Sequence, residues 1–199
     1  MPARRALPLL FATPALAEGA PGYRWRVMRE GSMVGTHTVT FSRRGAERVA
    51  VSDVSVVPTV LGVVVYRYEH RTTEVTRNGS FLAVESRLNR NGRIVELRAQ
   101  ALGDAVLVRG PEGERRLPAD AAPLSWWEPQ RMGGAVPLFG TTHGRASNLR
   151  WRREAVPGGG VRWHMTGDLE AMVEYDAAGR WVAHAVRGDD GSLVTYAPA

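Results

Sequence analysis

Apolar and polar residues alternate with a period of two along most of this chain, which is the signature of half-buried β-strands. In YRWRVM (23–28), Tyr23, Trp25 and Val27 share one side, and in THTVTF (36–41) His37, Val39 and Phe41 do so. RVAVSDVSVV (48–57) is a third strand, stopped by Pro58. Three long strands follow between Val63 and Ala101, then short ones in AVLVRG (105–110) and RRLP (115–118). Strands resume with NLRWRREAV (148–156), GVRWHMTG (160–167), LEAMVEYD (169–176), RWVAHAV (180–186) and SLVTYA (192–197). Between the two series, PADAAPLSWWEPQRMGG breaks the alternation. Its Ser125-to-Glu128 spacing reads as a capping box, and Pro129 limits any helix there to a turn or two. The pattern predicts an all-β chain of about twelve strands with one short helical insert, folded as one strongly curved antiparallel sheet or partial barrel.

The curvature is inferred from the central stretch. Val63 to Arg77 would extend about 50 Å at roughly 3.3 Å per residue, long for a globular strand, and such strands bend. Asn78-Gly79 and Asn91-Gly92 are two-residue hairpin turns, because a type I′ turn needs positive φ at both central positions. Uniform pairing from the first turn sets Arg77 opposite Ser80, Arg71 opposite Ser86 and Glu69 opposite Leu88. Uniform pairing from the second sets Glu85 opposite Arg98 and Arg87 opposite Glu96, two complementary charge pairs on a solvated face. On this register Glu69 and Arg71 point with Val84, Ser86 and Leu88 into the concave side, and His70 faces water near Arg87. Polar residues on an apolar side belong at a cavity or its mouth.

Charge and composition narrow the classes. The 199 residues carry a formal charge of +6, every basic residue is Arg, and the arginines are interspersed with acids. Nucleic-acid binding calls for a basic stripe or cluster, so no nucleic-acid partner is expected. No cysteine is present, which excludes thiolate chemistry and disulfides. MPARRALPLLFATPALAEG begins with a charged pair, continues with a short apolar run and ends at Ala15-Leu16-Ala17, the layout of a signal peptide over 1–17. Residues 18–199 are then one all-β domain located in the periplasm. No run is long enough for a transmembrane segment.

Catalytic and metal signatures are absent. His37, His70, His143, His164 and His184 show no short ligand spacing, and there is neither a G-x-S-x-G nucleophile elbow nor a phosphate loop. No metal, no cofactor and no catalytic residue is expected. Glu170 and Glu174 share a side with Met172, opposite Ala171, Val173 and Tyr175, as on a solvated strand face. Adjacent Trp126 and Trp127 cannot easily both face one core from a proline-bounded segment, so one of them is expected to cover the open edge of the cavity.

Four stretches, YRWRVMREGSMVGTHTV, LGVVVYRYEHRTTEV, LPADAAPLSWWEP and TGDLEAMVEYDAAGRWV, resemble a family of secreted bacterial proteins catalogued as domain of unknown function 6134. The resemblance covers most of the chain after its leader and implies a fold but no activity. In architecture alone, the chain is similar to the open barrels of lipoprotein carriers of the LolA and LolB type. The expected function is that of an exported binding protein for an apolar or amphipathic, lipid-like small molecule. Glu69 and Arg71 would meet its polar end, Ser86 and Leu88 would bind beside them, and the Trp126-Trp127 segment would cover it. A cell-envelope structural or interaction protein with a packed interior is the alternative, and a hydrolase comes third.

Overall fold

The computed structural model describes residues 17–18, 22–61, 63–188 and 190–199. The leader expected over 1–17 lies outside the described residues apart from its last position. Strands β1 (Ala17–Glu18), β2 (Tyr23–Arg29), β3 (Ser32–Arg44) and β4 (Glu47–Val56) are followed by two short ones, β5 (Thr59–Val60) and β6 (Val63–Val64). Then come β7 (Tyr68–Arg77), β8 (Ser80–Arg90), β9 (Arg93–Ala101), β10 (Val106–Gly110) and β11 (Gly113–Leu117). The insert carries β12 (Ala122–Pro123), a kinked 3-10 turn (Pro129–Gly134) and β13 (Leu138–Phe139). The chain closes with β14 (Leu149–Val156), β15 (Gly160–Gly167), β16 (Ala171–Tyr175), β17 (Trp181–Arg187) and β18 (Leu193–Pro198).

One antiparallel sheet holds fourteen of these strands, more than the dozen the pattern suggested. Its order is β11-β10-β9-β8-β7-β4-β3-β2-β18-β17-β16-β15-β14, with β1 added on β3. Every pairing in it is antiparallel, so most consecutive strands join by tight turns and inner and outer residues alternate except at bulges. The sheet curls around residues 118–148. Ala121, Ala122, Leu138 and Phe139 pack on Phe81, Val84, Leu97, Ala99, Val106 and Val108. Trp127 and Met132 pack on Trp25, Val39, Met165, Val173, Tyr175 and Trp181. Leu124 and Trp151 touch both clusters, so the insert ties the two halves of the sheet together from within. The result is a partly open barrel whose interior is largely filled. Gly133 shows how close the fit is: its φ is +77°, and a Cβ there would lie 2.5 Å from the Trp163 ring.

Both Asn-Gly turns form as the sequence implies, with φ of 52° and 80° at Asn78 and Gly79 and 52° and 87° at Asn91 and Gly92. The second hairpin keeps its register throughout. Glu85 faces Arg98 and Arg87 faces Glu96, with N···O separations of 3.5 and 3.6 Å on the outer surface.

The first hairpin does not keep its register. Arg77 opposes Ser80 and Thr76 opposes Phe81, but the next pair is Val75 with Ala83. Leu82 is an extra residue in β8, a β-bulge, and beyond it every residue of β7 faces the other way. Glu69 therefore opposes Asn89, and Arg71 opposes Arg87, on the outer surface. His70, Thr72, Glu74 and Thr76 point inward instead. The long strand is also shorter than expected, starting at Tyr68, while Val63 and Val64 pair with Thr59 and Val60 in a separate ribbon.

A deletion tests the bulge. Without Leu82, Phe81 faces in, Ala83 out and Val84 in, so the variant should fold with unchanged pairing beyond Val75. Deleting Glu85 instead should turn Ser86 and Leu88 outward, with the loss of cooperative unfolding in urea. Equal tolerance of both deletions would count against the assigned register.

Candidate functional site: a polar cavity inside the barrel

Half of the barrel wall is unusually polar on its inner side. Here β3 sends in His37 and β4 sends in Ser52, while β7 contributes His70 and Thr72, and β8 contributes Ser86. His37, Ser52, Thr72 and Ser86 are buried, and so is His184 from β17. Buried polar groups need partners, and these find one another across strands. His37 Nε2 lies 2.8 Å from Ser52 Oγ, and His70 Nε2 lies 2.7 Å from Ser86 Oγ and 3.3 Å from Thr72 Oγ1. His184 Nδ1 donates to the Met172 carbonyl at 2.9 Å, a bond that places its proton on Nδ1 and leaves Nε2 an acceptor.

Aromatic rings complete the wall. The Trp126 ring lies 4.2 Å from that of His184, and Tyr196 stands 4.7 Å from His184 and 5.6 Å from His37. Trp25 and Trp181 pack behind them at 4.8 Å. The space these groups leave is a cavity of about 140 Å³, lined by His37, Ser52, Tyr68, His70, Thr72, Ser125, Trp126, Trp127, Thr141 and Tyr196, with Val54 and Leu124. No Asp, Glu or Arg lines it.

Burial sets the protonation of this wall. Desolvation pushes His37 down to about 3, His184 to about 3 and His70 to about 4, and it raises the Tyr196 hydroxyl above its ordinary range. At neutral pH the cavity is therefore uncharged. His37 Nδ1 and Trp127 Nε1 are buried without a hydrogen-bond partner among the described residues. The His37–Ser52 pair resembles a base and nucleophile, but an imidazole held near 3 is a weak base at pH 7, and His37 Nδ1 lacks the orienting carboxylate of a triad.

A second polar group fastens the insert to the wall. Glu74 and Arg131 form a fully buried ion pair at 2.6 Å, Ser125 Oγ donates to the other Glu74 oxygen at 2.6 Å, and Arg131 Nη1 donates to the Pro123 carbonyl at 3.2 Å. Glu128, also buried, is held by Arg48 and Gln130. Ser125 thus serves Glu74 rather than a helix, and Glu128 has no side-chain cap at the 3-10 turn it precedes. The capping-box reading is corrected on that point.

The residues expected to bind ligand divide. Ser86 is buried beside His70, Leu88 is buried opposite His70 without lining the cavity, and Trp126 and Trp127 both line it. Glu69 and Arg71 are on the opposite face. Glu69 pairs with Arg67 at 2.9 Å and accepts from Asn89, and Arg71 pairs with Asp53. His70, expected in water, is inside. Among the described residues no three His, Asp or Glu side chains converge as a metal-binding set. Of the cavity residues, Trp126 and Trp127 were expected at the site, and for His37 the strand face shared with Val39 and Phe41 was legible. His70 and Thr72 were hidden by the bulge.

Four other depressions are larger, among them an outer groove of about 470 Å³ beside His164 and Met172 and a cleft of about 500 Å³ at Tyr23, Arg48 and Arg180. Among their charged side chains, Arg152 pairs with Glu154, Arg187 with Glu170 and Arg48 with Glu128. Trp127 borders both the cleft and the interior cavity.

Residues 25–199 match the family described as domain of unknown function DUF6134. The chain belongs to that family. A solved structure, the β-barrel-like protein of domain of unknown function DUF1849 from Brucella abortus, aligns with a TM-score of 0.59 at 10% identity. The alignment covers 89% of this chain and 94% of that one. The likeness establishes a barrel-like architecture for this DUF6134 protein, as the curvature argument expected. No curated protein matches the sequence.

Proposed function

We propose that this DUF6134 protein is an exported, periplasmic binding protein whose barrel holds a small uncharged molecule. The observation that carries the reading is the interior cavity. It is walled by neutral hydrogen-bonding groups and indole rings, and His37 Nδ1 is left there without a protein partner. Leaving such an atom unpaired costs about 1–3 kcal/mol, which a hydrogen-bonding ligand in the cavity would relieve.

Size and chemistry define the ligand class. A volume of about 140 Å³ equals roughly five waters at ~30 Å³ each and falls short of the ~300 Å³ at which drug-sized pockets begin. A fatty-acyl chain does not fit beside the insert, which narrows the lipid-like expectation to a compact amphipathic molecule. A flat ring with one or two hydrogen-bonding atoms suits walls made of Trp126, Trp127 and Tyr196. A charged ligand would have no counterion there.

Native mass spectrometry of protein purified from the periplasm should show a bound species, and its intact mass should place the mature start at Glu18. Indole, as a neutral probe, should quench or shift the tryptophan fluorescence. Thr141→Phe fills the cavity from the insert side and should abolish both signals while unfolding cooperatively. Glu69→Leu with Arg71→Met lies outside and should keep them, because exposed ion pairs contribute about 0–1 kcal/mol. A wild-type protein with no bound mass and no indole response would instead support the envelope protein with a packed interior.

A further inference from the structure

Most of the large apolar side chains that the fold leaves in water lie at one end of the barrel. The connection between β4 and β7 forms a two-stranded ribbon, β5 with β6, apart from the main sheet. Leu61 at its tip is 100% exposed, with Val63 at 65%, Val64 at 45% and Val65 at 57%. The same end carries Met33 beside the β2–β3 turn, Ile94 beside the β8–β9 turn and Leu193 beside the β17–β18 turn, each between 44% and 55% exposed. These turns belong to neighbouring strands in the order β9-β8-β7-β4-β3-β2-β18-β17. The apolar residues thus follow one end of the sheet from strand to neighbouring strand.

The base of the ribbon is basic. Residues 57–67 and 90–94 contain Arg67, Arg90 and Arg93 and no acid. The Asn91 turn is tied to the ribbon by two hydrogen bonds, Arg67 N to Asn91 Oδ1 at 2.8 Å and Asn91 N to the Arg67 carbonyl at 3.0 Å. Arg67 pairs with Glu69, the Arg90 guanidinium lies over the Tyr68 ring at 5.5 Å, and Arg93 is exposed. The order along the ribbon is therefore an aliphatic tip first and guanidinium groups behind it.

We infer that this rim docks on a bilayer surface containing anionic lipid, with Leu61 and the Val63–Val65 run entering the headgroup–acyl boundary and Arg67, Arg90 and Arg93 meeting lipid phosphates. Protein-binding hot spots favour Trp, Tyr and Arg at their centre, with Leu and Val under-represented. The tip here is purely aliphatic. Shallow insertion of apolar side chains backed by arginines is the chemistry of an interfacial anchor, and anionic lipid adds to it for each basic residue near the surface. This inference is independent of the cavity reading.

The test is flotation of the purified protein with vesicles of phosphatidylcholine alone or mixed with phosphatidylglycerol, at low salt and at 0.5 M NaCl. Wild type should float with the mixed vesicles, less so at high salt and least with phosphatidylcholine alone. Leu61→Ser with Val64→Ser should lower partitioning at least tenfold, the scale set by losing the burial of two aliphatic side chains. Its melting temperature should not move, since the ribbon lies outside the main sheet. Arg93→Gln should reduce the preference for phosphatidylglycerol. Failure of wild type to float, or equal flotation of the serine variant, would overturn the inference. So would sedimentation showing that wild type self-associates while the serine variant is monomeric, because the rim would then be the seat of a second copy.

Discussion

The protein is expected to lose about 6 kcal/mol of folding stability between pH 7 and pH 5, and three buried histidines carry that loss. Burial lowers His37 and His184 to about 3 and His70 to about 4 from an ordinary 6.5. Above 6.5 both folded and unfolded chains keep these rings neutral, so they contribute no pH dependence. Below 6.5 the unfolded chain takes up protons that the folded chain refuses, and the equilibrium moves toward unfolding until the folded values are reached. Each ring contributes about 1.4 kcal/mol per pH unit in that window, so three give about 4 kcal/mol per unit. The titratable groups around them are one another, with Tyr196 and Tyr68, and no carboxylate lines the cavity to rescue an imidazolium. Lowered carboxylates such as Glu47 and Glu154, held down by hydrogen bonds from Arg44 and His164, act in the same direction at lower pH. Urea unfolding at half-unit steps from pH 7.5 to 4.5 measures the slope, and His184→Gln should remove about a third of it. A flat profile down to pH 5 would show that these rings are solvated.

Removing the Arg131 guanidinium should be the most damaging single truncation in the insert, costing about 3–5 kcal/mol. Glu74 is 0% exposed at its side chain, so Arg131→Ala leaves a carboxylate without its counterion in the barrel wall. Ser125 Oγ donates to the same carboxylate, and the Pro123 carbonyl loses its donor. At about 2–4 °C per kcal/mol for a chain this size, the melting temperature should fall by roughly 10 °C. The variant Glu74→Leu, Ser125→Ala, Arg131→Met removes every charged member while keeping volume, and it should recover most of the loss. If Arg131→Ala melts within 2 °C of wild type, the pair is not desolvated and the insert is held by its apolar contacts alone.

Much of the fold was legible because strand alternation is a local property. The inner faces of β2, β3 and β16, and the outer placement of Glu170 and Glu174, follow from period-two patterning. The β8–β9 register follows from Asn91-Gly92, whose backbone requirement fixes the pairing of its neighbours. Two features of the candidate site were not legible. Leu82 forms a bulge without glycine or any other local mark, and one unmarked residue turned Glu69 and Arg71 outward and His70, Thr72 and Glu74 inward. The insert shows the second limit. Ser125 looks like a helix cap to a reader of local spacing, because its partner Glu74 is 51 positions away and becomes available only when β7 faces the interior. Sequence alone determined that this chain makes a curved antiparallel sheet, since each residue's preference and its neighbours' alternation suffice for that. Tertiary structure decided which polar residues became the cavity, because burial and partnership depend on a register summed over many residues and on an insert whose partners lie on strands distant in sequence.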